Sequence, residues 1–478
     1  MKVLSRFTWY LAPPMLQGVI SFAALPIATL VLGPTEYGMY ALVTSTTALV
    51  TGIAGISASY PLATHFKNLD EVGRRALVTT LVTLNLMIAL FLGACIIGAW
   101  LIFGQESGEY AKLPTVAVLI AVASMITAAP WSIGVELSVM LGQARVYGLT
   151  LMIQSLVGAI VLVGSLFLLD LGALSLFVAG LASSMVALLG AWFAMRGYLS
   201  ARAGIRDGLR YLHGVPILTV ASLLEVVQVA VERNVMAVHL GMAQVGIYSH
   251  SQQYRNLLAT GVKAIARSVW PTSLDEARTE SGLLFRKTHL VWNVTYLAIV
   301  LFGLCFAIFG DKVISLLTHD KFTDAYILVA VWAAYLLVQN SGKAQTAMLY
   351  AHGRGKAIAR ISSLSTLFGI AVAIFAIPVF GLFGAASAVI LQQTVLRIGL
   401  QVYVRRYWSL HMDDWWVIGG SMLVIAALAL VVIGKPNLWE RVVLLLIFST
   451  VLLVAGRRWS VEALQFVRDK KITANGGV

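Results

Sequence analysis

Long apolar runs separated by short polar interruptions make up almost the whole chain. An α-helix needs ~20 apolar residues to cross a bilayer. Fourteen runs meet that length, near 7–32, 39–64, 77–103, 114–141, 149–169, 171–195, 214–239, 246–270, 288–309, 325–350, 357–378, 382–404, 416–433 and 438–456. No apolar-poor stretch between them is long enough for a soluble domain. The pattern predicts an all-α polytopic membrane protein with about 14 transmembrane helices. The first run holds Pro13, Pro14 and Pro26 and leads straight into the second, so it reads as a span rather than a cleaved signal peptide.

The polar interruptions repeat. "LGPTEYGMY" (Leu32 to Tyr40) joins spans one and two, and "LGMAQVGIY" (Leu240 to Tyr248) joins spans seven and eight, at an offset of 208 residues. "GQAR" (Gly142 to Arg145) and "GRGK" (Gly353 to Lys356) follow spans four and ten at an offset of 211, and "GALS" (Gly172 to Ser175) and "GAAS" (Gly384 to Ser387) open spans six and twelve at 212. Spans one to six and seven to twelve therefore read as two copies of one unit. An even number of spans per copy keeps both in the same orientation, a parallel repeat about a pseudo-two-fold axis along the membrane normal. The expected organisation is a six-helix lobe over 1–205, a second over 206–408, and two extra helices with a tail over 409–478. Two such lobes are expected to enclose a central cleft, where substrates bind at repeat interfaces.

Some spans break their own apolar pattern. Span eight carries Arg255, Lys263 and Arg267. A cation at mid-bilayer costs roughly 2.5–3.5 kcal/mol on insertion scales, so three in one span require water or partners. At about 100° per residue, Gln252, Lys263, Asn256 and Arg267 all fall within about 120° of Arg255, on one third of the helix. Span seven carries Glu225 and Glu232 within about 20° of each other, with Gln228 between them. Measured from the tight turn joining the two spans, these acids and the span-eight cations lie at matching depths. They read either as structural ion pairs or as part of an anion-binding cleft. Lys343 lies in a polar patch, "QNSGKAQT", within span ten, and Glu136 lies within span four. Glu225, Glu232 and Glu136 are the ion-coupling candidates, because burial raises a carboxyl pKa towards values at which it exchanges a proton.

Composition and charge refine this picture. The chain is 59% hydrophobic and 12% charged, about half the charged fraction of a soluble protein. With the N-terminus placed in the cytoplasm, 23 of the 28 loop and tail cations fall on the cytoplasmic side. Both termini are therefore expected to be cytoplasmic. The net charge of +13 follows from this asymmetry and is spread over many loops, so nucleic acid is not expected as a partner. Cys95 and Cys305 each lie in an apolar span without metal-ligand spacing. No metal site, cofactor site or catalytic group is expected.

The span count, the six-plus-six repeat and the "LGPTEYGMYAL" turn resemble the polysaccharide flippases of the O-antigen (Wzx) type. These share a superfamily with lipid II flippases and the multidrug and toxin extrusion transporters. The resemblance implies two six-helix lobes around a cationic cavity in a bacterial inner membrane. It also implies an undecaprenyl-diphosphate-linked oligosaccharide moved from the cytoplasmic to the periplasmic leaflet by alternating access. Arg255, Lys263 and Arg267 match the cavity arginines of the lipid II branch. The scarcity of cations in spans one and two departs from that branch and argues against lipid II itself. Physical chemistry points the same way, since arginine and lysine offer a lipid diphosphate charge-assisted hydrogen bonds, and Gln252 and Asn256 suit sugars. The expected substrate-binding set is Arg255, Lys263, Arg267, Lys343, Gln252 and Asn256. Expected partners are the lipid-linked oligosaccharide, membrane lipids, a polysaccharide polymerase with its export complex, and a proton or sodium as coupling ion.

Two other classes compete. A multidrug exporter of the same superfamily would want acids rather than net cations in its cavity. A membrane polymerase or glycosyltransferase would carry a long outer loop with catalytic acids. The loop near 310–324 has Asp311, His319, Asp320 and Asp324 but no paired-acid motif. The topology has a direct test: alkaline phosphatase fused after Lys321 is expected to be active and fused after Arg206 inactive, and the reverse pattern would invert the assignment.

Overall fold

The computed structural model describes residues 2–104, 108–200, 209, 216–279, 286–407 and 415–452, and among these no strand occurs. The chain is all-α. Its helices are α1 (Lys2–Val31), α2 (Pro34–His65), α3 (Glu71–Ala99), α4 (Thr115–Met140), α5 (Ala144–Phe167), α6 (Leu174–Met195), α7 (Pro216–Leu240), α8 (Met242–Thr279), α9 (Arg286–Thr318), α10 (Ala325–Ser341), α11 (Lys343–Ala351), α12 (Gly355–Arg405) and α13 (Trp415–Gly434). Residues 438–452 are helical as well. Among the described residues, nine spans are long and apolar enough to cross a membrane.

The helices follow the expected runs, with one refinement. The run 325–350 is broken at Gly342, between α10 and α11. There the side chains of the polar patch compete for main-chain carbonyls: the Asn340 amide donates to Leu336 O at 2.8 Å and the Ser341 hydroxyl to Val338 O at 2.7 Å. Such local bonds, next to a glycine, loosen a helix. The runs 357–378 and 382–404 are two helices, labelled together as α12, that meet at a break at Gly381 with φ 59°, a conformation that favours glycine. Cys95 and Cys305 are free and exposed.

By internal packing the chain divides into two compact units. The first comprises Met1–His250, Leu317–Lys321 and Ser362–Ala388, and the second Ser251–Leu316, Phe322–Ile361 and Val389–Val478. A core of the first gathers Leu62, Leu77, Leu81, Ile133, Leu137 and Ala191 from α2, α3, α4 and α6, all buried. Close helix approach there depends on small residues; a side chain at Gly134 would press on the Ala191 main chain. In the second unit, Met348, Leu349, Leu400 and Val404 pack with Ala277. Arg441, one of the five cations that the sequence places in outer loops, is buried there, with its guanidinium on Asp311 and on the Ile308 carbonyl at 3.0 Å.

The two repeated turns meet inside the first unit. Gly33 precedes α2, Pro34 opens it, and the Glu36 carboxylate accepts the Gly33 N–H, a helix start with proline in the first turn and an acid at the third position. The equivalent turn before α8 uses Gly241 at φ 85°. A Cβ on Gly38 would overlap the Met242 carbonyl, and a Cβ on Gly246 would overlap the Pro34 carbonyl. Both relations carry the same 208-residue offset, so α2 and α8 cross backbone to backbone through equivalent atoms. The Tyr37 ring meets the His250 ring edge-on at 5.7 Å and seals the crossing.

Gly38→Ala and Gly246→Ala are each expected to lower the thermal stability of the purified protein, by about 1–3 kcal/mol of overpacking. Gly98→Ala, whose added methyl meets nothing within 4 Å, is the control and should match or exceed wild type in a thermal-shift assay.

Candidate functional site

The polar stripe predicted on span eight lies along α8. Ser251 and Gln252 are buried, Arg255 is half-buried, and Asn256 and Lys263 are exposed. Arg255 sits about 20 Å along α8 from its first residue, at 1.5 Å per residue. Its guanidinium carbon lies 4.8 Å from the centre of the Trp332 ring and 5.3 Å from that of Tyr335. The two rings stand edge to face, 5.7 Å apart at 87°. Arg255 Nη2 donates to Asn256 Oδ1 at 3.3 Å. Among the described residues, Arg255 has no carboxylate partner. Trp332 Nε1 donates to Ser251 Oγ at 2.9 Å, one turn before Arg255, and Gln339 Nε2 donates to the Tyr335 hydroxyl at 2.8 Å.

Of the six residues expected to bind substrate, Arg255 and Asn256 are joined directly. Gln252 lies one turn away. Lys263 lies two turns further along α8. Lys343 is half-buried at the first residue of α11. The side chain of Arg267 lies outside the described residues. The aromatic pair was not foreseen. Its signal was present in spacing: Trp332, Tyr335, Gln339 and Lys343 follow one another by three or four residues, the period of one helix face.

The acidic candidates lie in the first unit and differ from one another. Glu232 is 3% exposed. Its Oε1 accepts from Gln228 Nε2 at 2.8 Å and its Oε2 from the Tyr248 hydroxyl at 3.3 Å. Neighbouring Arg233 sends Nη1 to the Ala41 carbonyl at 3.1 Å. Glu225 is exposed and accepts from the Ser362 hydroxyl at 3.4 Å. Glu136 is half-buried on α4. Among the described residues no three His, Cys, Asp or Glu side chains are grouped to hold a metal ion.

The structure is similar to the lipid II flippase MurJ in an inward closed conformation, with 13% identity and a TM-score of 0.71 over 96% of this chain and 99% of that one. It is also similar to an inward-facing multidrug resistance MATE family transporter of the MOP superfamily, with 16% identity and a TM-score of 0.62 over 86% and 95%. A third similar structure is a MOP superfamily transporter from Pyrococcus furiosus, whose binding pocket is described as reversed in polarity (15% identity, TM-score 0.56, 88% and 96% covered). The fold is that of the MOP superfamily of multi-pass membrane transporters. A model of the family described as polysaccharide biosynthesis protein matches residues 27–327. The chain belongs to that family. No curated protein matches it.

The Glu232 cluster yields a stability prediction. Tyr248→Phe removes one donor and is expected to cost about 1 kcal/mol. Glu232→Leu leaves the Gln228 amide and the Tyr248 hydroxyl without their acceptor and is expected to cost about 2–3 kcal/mol or more. Thermal unfolding of the purified variants reads both.

Proposed function

We propose that this protein flips an undecaprenyl-diphosphate-linked oligosaccharide from the cytoplasmic to the periplasmic leaflet of a bacterial inner membrane, serving export of a cell-surface polysaccharide or O-antigen. The observation that carries the reading is Arg255: a half-buried guanidinium, deep along a helix of a membrane protein, with no carboxylate partner among the described residues. Such a cation is stabilised by an anion arriving from outside the protein, and a lipid diphosphate is one. Lys263, Arg267 and Lys343 would extend the cationic surface, and Gln252 and Asn256 would address the sugars. The family match and the likeness to a lipid II flippase support the same reading.

Transport by alternating access would use the two repeats as moving bodies. With both termini cytoplasmic, the Gly33 and Gly241 turns lie on the periplasmic side, and the α2–α8 crossing would close that side and part to release substrate. Glu232, Glu225 and Glu136 are the carboxylates available to couple movement to a proton or sodium gradient. A polysaccharide polymerase and export complex would take up the product. The likeness to multidrug transporters favours a second reading, export of a small molecule by the same fold.

Vesicles carrying the purified protein and a fluorescent undecaprenyl-diphosphate trisaccharide separate the readings. Flipping is expected in wild type and a fall of about tenfold or more in Arg255→Ala, the scale of losing one charge-assisted contact. Efflux of cationic dyes without lipid flipping would establish the second reading instead. In a Cys95→Ala/Cys305→Ala background, Thr35→Cys with Ala243→Cys should stop flipping when joined by a reducible thiol cross-linker and resume on reduction. Unimpeded flipping in the joined protein would remove the crossing from the cycle.

A further inference from the structure

A cation without an acidic partner still has to be held in place. Arg255 is held against two aromatic rings. Guanidinium is planar: its edges carry the N–H donors, and its faces stack on aromatic rings. Both ring distances, 4.8 Å and 5.3 Å, lie inside the roughly 6 Å range of cation–π attraction. The rings are themselves fixed. Trp332 is fully buried and tied to α8 through Ser251, and Tyr335 is buried at a right angle to it. Together they form a corner that the guanidinium occupies, within reach of both rings.

This arrangement differs chemically from an ion pair. A carboxylate would occupy the N–H edge and cancel the charge before substrate arrived. A ring quadrupole attracts the cation without neutralising it. It also fixes the side chain beforehand, so less rotamer freedom is lost on binding.

We infer that Trp332 and Tyr335 are positioning residues for anion recognition: they hold the Arg255 guanidinium in an aromatic corner, with its charge intact and the N–H donors that Asn256 does not take left to receive a diphosphate. The inference rests on the proposed reading of Arg255 as a diphosphate-binding group. It adds residues on α10 that contribute no charge and no phosphate contact of their own. It also sets the cation's chemistry: lysine at 255 would keep the charge but lose the flat face and the fork.

The test is binding of farnesyl diphosphate to the purified full-length protein in nanodiscs, by calorimetry, with thermal unfolding recorded for every variant. Arg255→Ala is expected to weaken binding by tenfold or more. Trp332→Leu and Tyr335→Leu should each weaken it about tenfold, the scale of a desolvated cation–π contact. Trp332→Phe and Tyr335→Phe keep a ring and should stay within about threefold of wild type, the smaller scale of an exposed contact. In an Arg255→Ala background, Trp332→Leu should have no further effect. A purely structural tryptophan would instead add its full loss there, which would overturn the inference. So would wild-type affinity in both leucine variants. If Trp332→Leu does not fold, Tyr335→Leu, scored alone and in the Arg255→Ala background, decides by the same criteria. Undiminished binding in Arg255→Ala would reject the diphosphate role of that arginine, and with it any positioning role of the rings. A selective loss in Arg255→Ala, with both leucine variants normal, would leave that role standing and reject only the positioning.

Discussion

A main-chain amide in hydrocarbon has no water to bond, so every span must satisfy its own backbone. The architecture follows from that constraint. The described residues are helical almost throughout, and the connections are tight turns such as Gly33 and Gly241. Where the helix yields, a side chain or a glycine stands ready: Asn340 and Ser341 bond to carbonyls ahead of Gly342, and Gly381 takes up the kink of α12. With backbone groups already satisfied, helices attract one another mainly by close packing. The crossing of Gly38 and Gly246, main chain against main chain, shows that principle applied to both repeats through equivalent atoms.

The same low-dielectric surroundings govern the charged side chains, and the protein meets them in three ways. Arg441 takes Asp311 as an ion partner. Glu232 is buried and accepts hydrogen bonds from Gln228 and Tyr248. Arginines elsewhere lie on rings: Arg255 on Trp332 and Tyr335, Arg354 on Tyr407 at 3.8 Å, Arg74 on Phe66 and Arg196 on Phe193. Ring contacts, unlike an ion pair, leave the cation's charge uncancelled. Near a helix end water supplies the counter-dipole, whereas Arg255 lies deep along α8, which is why the proposed function rests on it. In the proposed function, an anionic lipid would meet a positive charge that is stabilised without being cancelled, and the aromatic corner would provide it.

Much of the fold was legible in the sequence because it depends on local rules. Spans could be counted from apolar run length, and the turn "LGPTEYGMY" contains its own helix start in Gly33, Pro34 and Glu36. The offset of 208 residues marked the repeat before any contact was known. The candidate site was legible only in part. Charges on α8 identified Arg255 and Asn256 as a cluster, but matching depths left open whether Arg255 pairs with an acid on α7 or faces an anion-binding cleft. Depth along two neighbouring helices does not determine which way each side chain turns. Arg255 turned to α10, where the apolar-looking segment "WAAY" gave no charge to notice.

Sequence alone therefore determined the elements that each segment satisfies by itself: helix lengths, turns, the internal repeat and the residues placed on each face. Tertiary structure alone decided the partners. The contact between Gly38 and Gly246 spans 208 residues, and that between Arg255 and Trp332 spans 77. In both cases the deciding quantity is the rotation and approach of one helix against another. That is set by packing summed over many side chains, and no local pattern of residues encodes it.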